Sequence, residues 1–166
     1  LNMRNGKTIE VMNTDAEGRL IMADALAYAS ESKPDIICDV ATLTGAAYVA
    51  LGVEIGAVFS NNKKTLESFL NSNNDGFENY HSLPLEQSYK SLIKSKIADM
   101  KNSGGRFGGA ITAALLLEEF VDDLDWVHLD IAGPARSRSN NSIYPEGGTG
   151  FGVLGYFNFL TNEANS

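Results

Sequence analysis

The sequence predicts an α/β fold, a three-layer sandwich in which helices flank a largely parallel or mixed sheet. Three observations lead there: apolar runs of strand length recur along the chain, segments with apolar residues every three or four positions lie between them, and polar or glycine-rich punctuation separates the two kinds.

Ile9 to Met12 is a short apolar stretch expected to make a buried strand, and it runs straight into the polar Asn13, Thr14 and Asp15. Leu20, Ala23, Leu26 and Ala27 recur at three and four, which specifies a helix, and Lys33-Pro34 stops it because proline cannot continue the ladder. Ile36, Ile37 and Val40 mark a second buried strand. Ala41 to Gly45 then leads into the small-residue segment Ala46 to Leu51, repeating the strand, loop, helix unit. Ala57 to Ser60 reads as a third strand, Asn61-Asn62 as a turn, and Lys63 to Asn71 as an amphipathic helix with Leu66, Phe69 and Leu70 on one side. The Asn-rich stretch Asn71 to Gly76 and Leu83-Pro84-Leu85 are expected to be loops. Glycine-rich Ser103 to Gly109 passes into a helix over Ala110 to Val121, whose Ala, Leu and Glu content favours that state. Trp126 to Ile131 is the last strand, and Gly147 to Gly152 a flexible entry into an apolar helix over Val153 to Leu160.

With 166 residues the chain is one domain's worth, enough to bury about two thirds of its unfolded surface around a single core. The net charge of -8 argues against a surface built for phosphate backbones, so nucleic acid is not an expected partner. Cys38 is the only cysteine, which excludes an intrachain disulfide and fits a reducing cytoplasm. Apolar runs such as Ala113 to Leu117 fall far short of the roughly 20 residues that cross a bilayer, so no membrane partner is expected. The chain opens on Leu1 rather than Met, with no element-start signal ahead of Arg4, and is expected to be cut from something longer.

The chemistry concentrates in Asn13-Thr14-Asp15-Ala16-Glu17-Gly18-Arg19-Leu20, where two carboxylates and a guanidinium fall within five residues beside a strand's end. Ligands collect at such ends in α/β sheets. Carboxylate oxygens are hard donors for divalent metals, and two acids two residues apart in extended backbone face the same side. A plainer reading stands beside this one: Thr14 followed three residues later by Glu17 is a capping box, with Arg19 a solvated charge at a helix start.

The whole octapeptide resembles the signature of the cytosolic leucyl aminopeptidases, a family of two-metal exopeptidases. The resemblance continues in order through Asn5 to Thr8, Ala23 to Leu26, Asp39 to Ala46, Ala98-Asp99-Met100, Gly104-Gly105-Arg106, Gly108-Gly109-Ala110, Thr112-Ala113-Ala114 and His128 to Gly133, nearly the full length. It implies that residues 1–166 are part of a carboxy-terminal catalytic domain, without the family's amino-terminal domain and the upstream segment bearing further metal ligands.

By position, the resemblance makes Asp15 and Glu17 metal ligands, with Glu17 bridging two divalent ions, Mn or Zn, and Asp15 holding one. Such a pair can polarise a peptide carbonyl and acidify a shared water toward hydroxide. Arg19 becomes catalytic, its planar guanidinium holding a bicarbonate that serves as general base, with the Leu43 backbone helping to seat it. Backbone groups of Thr42, Leu43 and Gly45 are implied to line the substrate site, and Ala132 and Ala135 to border the side-chain pocket. Gly133-Pro134-Ala135 departs from the bulkier residue common in the family and implies a wider pocket. The implied activity is release of amino-terminal leucine and similar residues from peptide substrates, by a cytoplasmic homo-hexamer when full-length.

Taken alone, Thr42 to Gly45 reads as a strand-to-helix turn where glycine lets the backbone bend. Ser103 to Gly109 lacks the Lys-Ser or Lys-Thr of a phosphate loop and reads as close packing. His81 and His128 are each isolated from other ligand types and read as exposed or satisfied histidines; Asp130 reads as buried and hydrogen-bonded, and Lys96 with Asp99 as a surface pair. Upstream of Asp15 only Arg4, Lys7 and Glu10 are charged, so the chain alone is expected to bind metal weakly and turn over little. Two other classes compete: a non-catalytic assembly or scaffold fragment of the same fold, favoured by the missing ligands, and a DNA-binding relative, disfavoured by the acidic charge.

Overall fold

A computed structural model of the chain describes residues 1–74, 76–138 and 144–165. Asp75, inside the expected loop Asn71 to Gly76, lies outside the described residues. The chain forms two compact units, one from Leu1–Ile37 with Pro84–Trp126 and one from Cys38–Leu83 with Val127–Ser166. Each unit is assembled from two segments distant in sequence, and length alone does not reveal such an arrangement.

In the first unit, strand β1 (Ile9–Glu10) pairs in parallel with a strand at Met100–Lys101, in the register Ile9 with Met100 and Glu10 with Lys101. The strand is shorter than expected: Val11 and Met12 are exposed and leave the ladder. A short 3-10 helix (Thr14–Ala16) leads into helix α1 (Gly18–Ser30), which buries Ala23, Leu26, Ala27 and Ser30. Lys33 then adopts φ 50 just before Pro34, so the stop works as a left-handed turn followed by a residue that cannot extend the helix.

Most residues of a four-stranded sheet belong to the second unit. Its members are β2 (Ile36–Ala41), β3 (Ile55–Ser60), β4 (Asn79–Ser82) and a strand at Asp125–Asp130, in the spatial order β2, Asp125–Asp130, β3, β4. The strand at Met100–Lys101 comes before it in the chain and is β5, which makes Asp125–Asp130 β6. β3 runs parallel to β4 and antiparallel to β6, where Ala57 faces Asp130 and Ser60 faces Val127. The class is α/β with mixed sheets and flanking helices, as the sequence predicts. β4 lies between the two segments expected to be loops, where the sequence predicts no element: Asn-Tyr-His-Ser lacks a β-branched run, and as an edge strand it exposes Asn79 and His81 while half-burying Tyr80 and Ser82.

The helices are α2 (Gly45–Leu51), α3 (Lys63–Ser72), α4 (Gly109–Glu118) and α5 (Val153–Ala164). In the first unit α4 packs against α1 and against a 3-10 helix (Gln87–Ile93), and Ala113 to Leu117 have no exposure at all. A helix apolar all round belongs in a core. In the second unit Phe69 of α3 meets Tyr80, Tyr156 and Phe159 edge-on, at 5.0, 5.8 and 5.6 Å between ring centroids. Burying such a ring stabilises by roughly 1.5–3 kcal/mol, and edge geometry adds to it. A small hairpin-like pair, β7 (Arg136–Ser137) and β8 (Gly147–Gly148), replaces the flexible entry expected before α5.

Candidate functional site

Asp15, Glu17 and Arg19 occupy one short segment of the first unit. Asn13, in extended backbone, caps the 3-10 helix by accepting the Asp15 amide at 2.9 Å, and Glu17 opens α1 without a side-chain cap bond. The capping box of Thr14 with Glu17 therefore does not form. Both carboxylates are exposed and have no hydrogen-bond or ion-pair partner among the described residues. Arg19 is half-buried, and one guanidinium nitrogen donates to the Asn102 carbonyl at 2.8 Å.

Asn102 follows β5 directly and is fully buried. Its amide donates to the Glu10 carbonyl at 3.0 Å, continuing the strand pairing by one residue. The side-chain oxygen accepts the Met12 amide at 2.8 Å and the Asn13 amide at 3.2 Å, while the nitrogen donates to the carbonyls of Asn13 at 2.7 Å and Ala16 at 3.3 Å. One side chain thus uses its whole donor and acceptor capacity on the loop that carries the two acids. Sequence reasoning missed this residue, and the sole local signal was a polar residue placed directly after the buried Met100 and half-buried Lys101.

In the second unit, Thr42, Leu43 and Gly45 connect β2 to α2. Thr44 closes this turn: its hydroxyl oxygen accepts the Ala47 amide at 3.0 Å and caps α2. Gly45 is not among the residues with positive φ, so the expectation that glycine supplies the bend is corrected in favour of the threonine cap. Asp130, 1% exposed at the end of β6, accepts the amides of Leu43 at 3.1 Å, Thr44 at 3.3 Å and Ala132 at 3.2 Å on one oxygen, and the Thr44 hydroxyl at 2.6 Å on the other. Leu43, Thr44 and Ala132 are thereby tied to one carboxylate. The half-buried Ala135 closes the following turn by donating to the Ile131 carbonyl at 3.0 Å. Gly133 between them is required by close approach, because a Cβ there would collide with the Gly52 carbonyl oxygen.

His81 is exposed on β4, and His128 is buried with its Nδ1 2.5 Å from Asp39 Oδ1 and its ring stacked on Phe59. Asp99 does not pair with Lys96. Its Oδ2 accepts both the Thr8 hydroxyl and the Thr8 amide at 2.7 Å, and these bonds hold its carboxyl below the usual range. Gly104 supports the packing reading of the glycine-rich run, since a Cβ there would meet the Thr112 side chain at 3.0 Å.

The model of the cytosol aminopeptidase family, catalytic domain, matches residues 1–155. The chain belongs to this family. It is 51% identical over 160 residues to a probable cytosol aminopeptidase of Prochlorococcus marinus subsp. pastoris, covering 96% of this chain and 33% of that one. The chain spans about a third of the length of the curated relatives it matches. Among solved structures it resembles a mutant of tomato leucine aminopeptidase, with TM-score 0.88 and 44% identity over 94% of this chain and 30% of that one. It also resembles the bottromycin maturation enzyme BotP in complex with Mn, with TM-score 0.91 and 38% identity over 98% of this chain and 37% of that one.

BotP, one of these relatives, was solved in complex with Mn. The donor chemistry of the segment fits such an ion: two hard carboxylates, both exposed, neither engaged among the described residues, on a loop fixed from beneath. Their number does not close a site. Among the described residues no group of three or more His, Cys, Asp or Glu could hold a metal ion. Among the described residues no helix is long and apolar enough to cross a membrane.

Proposed function

We propose that this chain carries the carboxylate and arginine part of a metal-dependent aminopeptidase that releases amino-terminal leucine and similar residues from peptides. The observation that carries the reading is the pair of exposed carboxylates at Asp15 and Glu17, without a hydrogen-bond or ion-pair partner among the described residues, held on a loop of a chain that belongs to the cytosol aminopeptidase family. When bound, two divalent ions, Mn or Zn, would supply Lewis acidity toward the peptide carbonyl and an acidified water. Asp15 and Glu17 would be among the residues that hold these ions. Arg19, anchored to the Asn102 carbonyl, would hold a bicarbonate ion through its planar guanidinium, and that ion, when bound, would supply a general base.

Backbone groups of Thr42, Leu43 and Gly45 receive the peptide, and Ala132 and Ala135 border the space for its first side chain. The small walls suit leucine, and the buried Asp130 keeps Leu43 and Ala132 in a fixed relation. The full-length enzyme works as a cytoplasmic homo-hexamer in this reading. Residues 1–166 supply the carboxy-terminal part of its catalytic domain and by themselves bind metal weakly.

A second reading, a non-catalytic assembly fragment of the same fold, draws on the two-carboxylate count among the described residues. Hydrolysis of leucine amide with added Mn or Zn separates the two. The full-length protein is expected to turn over, to lose second-metal binding in Glu17→Gln, and to slow with little change in metal content in Arg19→Ala. Unchanged turnover in both variants would remove these roles.

A further inference from the structure

We propose that Asn102 is a positioning residue for the metal-binding carboxylates of Asp15 and Glu17. The inference rests on the aminopeptidase reading of those two acids. Asn102 touches neither of them and acts through the backbone that carries them.

A carboxamide suits this place for a reason of chemistry. The loop presents two amides, of Met12 and Asn13, and two carbonyls, of Asn13 and Ala16, to one buried point, and a carboxamide alone among short side chains both accepts and donates twice. These bonds fix the chain on both sides of Asp15, and the Ala16 carbonyl immediately precedes Glu17. The backbone of the same residue extends the pairing of β1 with β5 through the Glu10 carbonyl and receives Arg19 on its own carbonyl. Asn102 therefore joins the sheet, the acidic loop and the arginine within one unit of the fold. Because none of its bonds involves the carboxylates, the loop shape is set before any ion arrives.

Outer groups that orient metal ligands typically contribute 10–100-fold to metal affinity, and an effect of that order is expected here. The test titrates Mn2+ alone into the full-length enzyme, reading free Mn2+ by electron paramagnetic resonance. Asn102→Asp keeps the volume and the acceptors but sets oxygen against the carbonyls of Asn13 and Ala16; Asn102→Ala removes all four bonds. Both are expected to weaken Mn2+ binding about 10–100-fold, and excess Mn2+ is expected to return kcat for leucine amide to within about twofold. Glu78→Gln, which loosens a buried carboxylate in the other unit, controls for lost stability and is expected to leave Mn2+ affinity unchanged.

Folded Asn102→Asp enzyme with wild-type Mn2+ affinity overturns the proposal. Asp15→Asn and Glu17→Gln are titrated beside it. If these lose affinity while the Asn102 variants keep it, the positioning role alone fails; if none of the four changes it, the metal reading fails as well. Amide exchange in the metal-free wild-type enzyme reads the same point without any variant. Protection at Met12 and Asn13 before Mn2+ is added supports a preset loop, and protection that appears only with Mn2+ contradicts it.

Discussion

Asp130 accepts the Thr44 hydroxyl at 2.6 Å while that hydroxyl oxygen accepts the Ala47 amide at 3.0 Å, so a buried charge at the end of β6 and the cap of α2 form one continuous network. Asp130→Ala would leave three backbone amides and a hydroxyl without their acceptor, at a cost of at least about 3 kcal/mol. Asp130→Asn keeps one acceptor oxygen and is expected to lose about 1.5–3 kcal/mol, the range for hydrogen bonds to a charged group. Urea unfolding measures both. In the full-length enzyme Asp130→Asn is expected to raise KM for peptide substrates more than it lowers kcat.

The buried pair of His128 and Asp39 gives stability a pH dependence. Burial by itself would lower the imidazole pKa, but the charge and hydrogen bond of Asp39, with Asp130 adding, raise it above 6.5. A folded value above the unfolded one means that the stabilisation is complete below about pH 6.5 and is lost as pH rises through the folded value. The thermal midpoint is expected to fall between about pH 6 and pH 9 more steeply in the wild type than in Asp39→Asn. Parallel curves would contradict the pairing.

Cys38 is expected to be inert in the folded protein. Burial, with the charges of Asp39 and Glu163 adding, pushes its thiol up to about 12, so little thiolate exists at neutral pH. Alkylation by iodoacetamide near pH 8 is expected to run at least about 100-fold faster in denaturant than in buffer. Equal rates would show that Cys38 is accessible and ionised in the native state.

Gly133→Ala tests the close approach of the Ala132–Ala135 turn to Gly52. The added methyl has no room against the Gly52 carbonyl, and the shift it forces is expected to cost about 1–3 kcal/mol. Thermal unfolding reads this directly, and a wild-type midpoint would mean that the two backbones are further apart.

The sequence was most legible where one local rule was enough. The spacing of Leu20, Ala23, Leu26 and Ala27 located α1, the composition of Ala110 to Val121 located α4, and Ile36, Ile37 and Val40 located β2. β4 was hidden because Asn79 to Ser82 gains its strand state by pairing with β3 and carries no apolar pattern of its own. The acidic octapeptide stood out, but the group that shapes it did not: Asn102 lies more than eighty residues away, and only the pairing of Ile9 with Met100 brings it beneath the loop. The same holds for Asp130, legible as buried but not as the acceptor joining Leu43, Thr44 and Ala132. Such roles arise from tertiary neighbours, which a linear pattern does not record.

Anomalous scattering from a manganese-soaked crystal of the full-length enzyme tests the central reading most directly. Peaks are predicted within coordination distance of carboxylate oxygens of both Asp15 and Glu17. Well-ordered Asp15 and Glu17 side chains with no anomalous peak beside either would contradict it.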